Sequence, residues 1–309
     1  MIKAFIVGAP MTRPFTNFGL LAGLAVAFGI MAPQMQSVQQ SAATFVNGKE
    51  EISVGDIFLR VDPRVQQRSY MFKETNERLP YALFVSSKVT KAKKAPLIVA
   101  LHGRGANQSA LELETYRTVE MAEQGGYILV APMGYNSNGW YGAPVGRWPG
   151  AEPARNSIFA DNGGKVITDR AKAAELSEKD VINVLTMIRE EFNVDEHRTY
   201  LLGHSMGGAG TLYLGVKYSE NWAAIAAVAP AVPPQLDPST LAAIKDMPVI
   251  LVHGDADPSV PVASTRRWVD KLRELNMTYE YHEIPGGDHG SVVATTMPDI
   301  FSFFSKHAK

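Results

Sequence analysis

From Pro96 to the end of the chain, short apolar runs alternate with helix-like segments, and that rhythm leaves few folds open. The runs are Leu97 to Leu101, Tyr127 to Ala131, Thr199 to Leu202, Ala223 to Val228, Val249 to Val252 and Tyr279 to Ile284, mostly followed by Gly or Pro. Runs that are apolar throughout are buried on both faces, as central strands of a parallel sheet are. Between them, helical signals cover Leu111 to Gln124, Ser177 to Phe192, Gly207 to Tyr218, Val262 to Asn276 and Val292 to His307. In the second of these, Ser177 and Asp180 resemble a capping box, and Val181, Val184, Leu185 and Ile188 fall on one helical face. Upstream, Ile57 to Val61, Ser69 to Lys73 and Tyr81 to Ser86 read as short strands with mixed alternation, which predicts an antiparallel edge. The expected fold is α/β, a mostly parallel sheet with an antiparallel N-terminal edge and helices on both faces.

One segment interrupts the rhythm. Met133 to Asp169 is rich in Gly, Asn, Pro and aromatic residues, and a long stretch of this kind inside a compact domain is usually functional. Trp140, Tyr141 and Trp148 within it are candidate substrate contacts, able to stack on an aryl or sugar group if exposed; covering the sheet is the alternative. Trp222, beside an apolar run, reads as core.

The chemistry is concentrated in four loops. Gly203-His204-Ser205-Met206-Gly207 follows an apolar strand and precedes a helix, the context in which G-x-S-x-G forms a nucleophile elbow. Ser205 is the candidate nucleophile. A serine hydroxyl needs a base, and the base needs a third group to fix its tautomer. The strand ending at Val252 runs into His253-Gly254-Asp255-Ala256-Asp257-Pro258, so Asp257 is the candidate acid, with Asp255 its rival because spacing cannot separate two aspartates in one loop. Of the seven histidines, His289 alone combines a Gly-rich loop, the carboxyl end of the sheet and a position after the acid. It is the candidate base, while His204 packs in the elbow, His282 lies in a strand and Asp288 reads as loop polarity. Acyl transfer also needs donors for the developing oxyanion. The backbone N–H groups of Met206 and of Arg104, in Leu101-His102-Gly103-Arg104-Gly105, are the candidates.

The motifs LHGRG, GHSMGG, HGDADPSVP and GGDHG together resemble α/β-hydrolase esterases over about Pro80 to Phe304. The group includes feruloyl and acetylxylan esterases, polyhydroxybutyrate-depolymerase-like proteins and the catalytic domains of prolyl-oligopeptidase-type peptidases. The resemblance implies a Ser205–His289–Asp257 triad, Arg104 and Met206 as oxyanion donors, no cofactor or metal, and a small-molecule or oligomeric ester as substrate. A peptidase with the same triad is the alternative, and a noncatalytic binding protein on this fold a third reading.

The N-terminus reads as an export signal. Lys3 and Arg13 precede an apolar run from Phe18 to Ala32, which is shorter than the roughly 20 residues of a spanning helix, and the chain then turns polar. Residues 1–43 are accordingly expected to form a signal peptide, cleaved after Ala43 or after Ala32, leaving 44–309 as one catalytic domain in the periplasm or medium, without stable membrane insertion. The absence of cysteine excludes disulfides and thiolate chemistry. A net charge of -1 with no basic stripe gives no footprint for nucleic acid.

Overall fold

The computed structural model describes residues 45–46, 49–50, 61–112, 116–144 and 169–309. The expected signal segment, most of the Ile57 to Val61 strand, Trp148 and the second half of the long loop lie outside the described residues.

A short antiparallel pair, β1 (Phe45–Val46) and β2 (Lys49–Glu50), stands apart from the main sheet. That sheet contains β3 (Gln66–Phe72), β4 (Glu77–Val85), β5 (Ala95–Leu101), β6 (Ile128–Pro132), β7 (Val194–His204), β8 (Ala224–Val228), β9 (Val249–Gly254) and β10 (Tyr279–Ile284). Its spatial order is β10-β9-β8-β7-β5-β6-β4-β3. Strands β5 to β10 pair in parallel, whereas β4 runs antiparallel to both β6 and β3. The expected antiparallel edge is therefore present, beginning at Gln66.

Among the described residues, five α-helices cover the sheet: α1 (Thr118–Gly125), α2 (Arg170–Glu191), α3 (Met206–Lys217), α4 (Val262–Glu274) and α5 (Ser291–Lys306). The two-residue period of β5 divides the core. Leu97, Val99 and Leu101 join Val184, Ile188, Leu212 and Trp268 on one face, and Ile98 and Ala100 join Val119, Val292, Phe301 and Phe304 on the other. Trp222 is fully buried, as expected for a core residue.

Two helix boundaries differ from expectation. Helix α1 starts only at Thr118, and a 3-10 turn occupies Ala110–Glu112 upstream of it. Helix α2 starts two turns earlier than Ser177. Its cap is Asp169, whose Oδ1 accepts the Ala171 and Lys172 N–H groups at 3.0 and 3.2 Å. Ser177 and Asp180 are not a capping box: both are fully buried inside the helix, where they hold the loop after β6. Asp180 Oδ2 accepts the Gly134 and Tyr135 N–H groups at 2.7 and 3.0 Å, its Oδ1 accepts Tyr70 O–H at 2.6 Å, and Ser177 Oγ accepts Tyr141 N–H at 3.0 Å.

Candidate active site

Parallel strands all deliver their following loops to the same sheet edge, so the loops after β5, β7, β9 and β10 converge there. The turn after β7 is tight. Ser205 has φ 58° and ψ -116°, a strained conformation for a residue with a side chain. The strain is held by neighbours: Ser205 N–H donates to Val228 O at 2.9 Å, and its carbonyl accepts the Ala209 and Ala231 N–H groups at 3.1 and 2.9 Å. Gly203 must lack a side chain here, because a Cβ would overlap the Gly207 carbonyl.

Ser205 Oγ lies 2.9 Å from His289 Nε2, and His289 Nδ1 lies 2.6 Å from Asp257 Oδ2. The structure thus brings together the three side chains singled out in the sequence. The Asp257 side chain is wholly shielded from solvent while His289 keeps 22% of its surface exposed, so the acid is dry and the base can be reached. Burial alone would raise the Asp257 carboxyl. The Val260 N–H, the His289 ring and the Ser259 N–H, all hydrogen-bonded to it, outweigh burial and hold it below the ordinary value. A low-pKa carboxylate beside Nδ1 keeps the proton on that nitrogen and leaves Nε2 bare to face Ser205.

Asp255 is used differently. Its Oδ1 accepts the Gly286 N–H at 2.6 Å, which ties the loop after β9 to the loop after β10. The same two loops touch at Gly254, where any Cβ would overlap the Gly287 carbonyl. Asp288 Oδ1 accepts the Gly290 and Ser291 N–H groups at 2.9 and 2.8 Å at the start of α5, the loop polarity expected of it. His204 Nε2–H donates to the His289 carbonyl at 2.8 Å, fixing the backbone of the candidate base. Burial and the neighbouring His289 lower its pKa to about 3, so this donor stays neutral.

The loop after β5 packs directly on the nucleophile: a Cβ on Gly103 would stand 3.3 Å from Ser205 Cβ. Gly105 N–H donates to Ser137 O at 2.8 Å, which turns the loop, and the Arg104 N–H between them takes no acceptor among the described residues. Met206 opens α3, so its N–H has no partner within the helix. Arg104 and Met206 thus carry backbone N–H groups in the two loops that meet where Gly103 packs on Ser205.

Tyr141 requires a correction. It is fully buried, packs on Gly134 and Gly210, and donates its hydroxyl to His102 O at 3.2 Å, so it supports the loop after β5 and is not an exposed stacking surface. Trp140 is half-buried against the same core. The sequence reading also passed over His253 and Thr265, both fully buried, with His253 beside Asp257 and Thr265 against the other ring nitrogen of His253. A histidine inside the otherwise apolar strand Val249–Gly254 was the available signal.

The sheet order, the strand-to-helix turn at Ser205 and the convergent loops define the α/β-hydrolase fold. Residues 162–308 match the family model described as Phospholipase/Carboxylesterase. NocK of Nocardia uniformis subsp. tsuyamanensis, named as a candidate esterase, is 27% identical over 166 residues, covering 54% of this chain and 41% of that protein. Among solved structures, a thermostable esterase aligns with TM-score 0.59 and 24% identity over 80% of this chain and 64% of its own. The ferulic acid esterase AmCE1/Fae1A of the anaerobic fungus Anaeromyces mucronatus aligns with TM-score 0.60 and 17% identity over 82% and 95%. The resemblance to α/β-hydrolase esterases carried by the four motifs therefore holds in sequence and in fold. The chain spans less than half the length of NocK and under two thirds of the thermostable esterase. Among the described residues, no helix is long and apolar enough to cross a membrane.

Proposed function

We propose that this protein is a serine carboxylesterase in which Ser205, His289 and Asp257 form the catalytic triad. The observation that carries the reading is the unbroken hydrogen-bond line from Ser205 Oγ through both nitrogens of His289 to Asp257, at 2.9 and 2.6 Å. Ser205 Oγ attacks the acyl carbonyl carbon as His289 Nε2 takes its proton. The Met206 and Arg104 N–H groups receive the negative charge that develops on the carbonyl oxygen; removing one such donor typically costs about 3 kcal/mol of transition-state stabilisation. His289 then returns the proton to the departing alcohol, and water, activated by the same nitrogen, releases the acid from Ser205. Throughout, the dry Asp257 carboxylate stabilises the imidazolium without itself taking the proton.

The substrate class we infer is feruloyl, acetyl or short-chain polyester groups on a small or oligomeric alcohol, and the likeness to ferulic acid esterases supports the first of these. The N-terminal sequence, with its basic residues ahead of Phe18 to Ala32, supports export to the periplasm or medium, with 44–309 as the catalytic domain. Hydrolysis of p-nitrophenyl acetate, p-nitrophenyl octanoate, methyl ferulate, acetylated xylan and a prolyl-peptide amide tests the assignment. Turnover of esters without the amide is the expected result, and comparable amide turnover would transfer the same triad to a peptidase.

A further inference from the structure

His253 is the last side chain of β9 before Gly254, and it lies wholly within the protein. Its Nε2 faces two oxygens, Val260 O at 3.0 Å and Asp257 Oδ2 at 3.2 Å. Neither carries a proton, so Nε2 must. Its Nδ1 faces the Thr265 hydroxyl at 2.7 Å, on the first turn of α4. Burial disfavours the charged imidazolium, lowering the pKa of His253, so the ring is neutral and Thr265 O–H donates to a bare Nδ1. One tautomer satisfies every contact.

The turn that His253 grips is the one that holds the acid. Val260 N–H donates to Asp257 Oδ1 at 2.9 Å and Ser259 N–H to the same oxygen at 2.7 Å, while the Val260 carbonyl is taken by His253. Both ends of the Val260 residue are thus tied, one to the carboxylate and one to the buried ring. The Nε2–H dipole also points its positive end toward the carboxylate oxygen that contacts His289. A buried polar pair of this kind is costly unless satisfied, and His253 Nε2–H satisfies the Val260 carbonyl beside the acid.

We propose that His253, held as its Nε2–H tautomer by the Val260 and Asp257 oxygens and anchored at Nδ1 by Thr265, is a positioning residue that holds Asp257 in register with His289. The proposal rests on the reading of Asp257 and His289 as acid and base. It does not make His253 a catalytic residue, since the ring touches neither Ser205 nor any group that reacts. A histidine that merely filled space would leave the Asp257–His289 hydrogen bond as it is.

The test reads that bond in the full chain. Long-range 1H–15N spectra of the native protein should show His253 protonated at Nε2 and bare at Nδ1; the opposite tautomer, or a doubly protonated ring, would overturn the proposal. The His289 Nδ1–H in its short bond should resonate far downfield. In His253→Phe that resonance moves upfield, and kcat falls roughly tenfold to a hundredfold with KM little changed, the range expected when a hydrogen bond to a charged group is disturbed. His253→Gln, which keeps an N–H donor, recovers part of both. A folded His253→Phe protein with the resonance and kcat of the native chain would overturn the proposal. If His253→Phe does not fold, Thr265→Val decides, because it removes only the hydroxyl that anchors the ring at Nδ1. It should move the His289 resonance in the same direction, and an unmoved resonance contradicts the account. The spectra need no turnover, so a protein inactive toward esters would fail the functional reading while this test still stood.

Discussion

Asp257 Oδ2 lies 2.6 Å from His289 Nδ1. Asp255, two residues away in the same loop, sends its carboxylate to the Gly286 N–H instead. The two aspartates that spacing could not rank are thus separated by what each one holds. Asp257→Asn should lower kcat by roughly a thousandfold to ten-thousandfold, because an amide can no longer enforce the productive tautomer of His289. Asp255→Asn should cost no more than about tenfold, through a loosened loop contact. Steady-state kinetics of both variants on one p-nitrophenyl ester decide it, and the reverse ranking would move the acid to Asp255.

Gly254 is where the loops carrying the acid and the base touch, leaving no room for a methyl group against the Gly287 carbonyl. Gly254→Ala should destabilise the protein by about 3 kcal/mol and lower kcat in whatever folded protein remains, as overpacking forces backbone apart. Urea unfolding of the variant measures the first effect. Native stability would show that the two loops yield freely.

Tyr141→Phe separates support from substrate contact. Losing the hydroxyl bond to His102 O should cost about 1 kcal/mol of stability and a few-fold in kcat, with KM unchanged. A rise in KM with unchanged stability would instead return Tyr141 to the substrate.

Asp180 makes stability depend on pH in an unusual direction. Burial raises its pKa from 3.8 to about 6, against the pull of hydrogen bonds from Tyr70, Tyr135 and Gly134. A carboxyl whose folded pKa is raised binds more protons folded than unfolded between those two values, so its contribution to stability is present at pH 4 and is lost as pH rises past 6. The difference is about 3 kcal/mol. Asp180→Asn cannot titrate, so its stability relative to the native protein should increase from pH 4 to pH 7. Denaturant midpoints of both proteins across that range check the sign, and a constant difference would contradict it.

Much of this site was legible in the sequence because its carriers are local. The elbow is five consecutive residues, Gly203 to Gly207, between an apolar run and a helix; the acid loop follows the apolar run Val249 to Val252, and the base loop opens with Pro285 and Gly286 after the strand Tyr279 to Ile284. Most of the parallel strands were readable for the same reason, being buried on both faces; β10, expected as a buried central strand, is the sheet edge and is only half-buried along its length. Periodicity failed where a polar side chain faces inward. Ser177 and Asp180 looked like helix-start residues, yet their partners, Tyr141, Gly134, Tyr135 and Tyr70, lie between 36 and 110 residues away. The true cap, Asp169, precedes a first turn, Arg170 to Ala173, that alternates long basic side chains with alanine and shows no stripe of large apolar residues. Tyr141 was misread for a related reason: an aromatic among glycines looks exposed until Gly134 and Gly210 are seen to make room for its ring. His253 acts entirely through groups brought to it by folding.

The central claim is that Ser205 is an activated nucleophile at an ester-cleaving site, and covalent labelling tests it most directly. The purified protein is treated with a fluorophosphonate, its intact mass is measured, and the modified peptide is sequenced. The account predicts a single adduct on Ser205, loss of p-nitrophenyl acetate hydrolysis in step with labelling, and neither labelling nor hydrolysis in Ser205→Ala. Ester hydrolysis retained in a folded Ser205→Ala protein, or an adduct on another residue that accompanies inactivation, would contradict it.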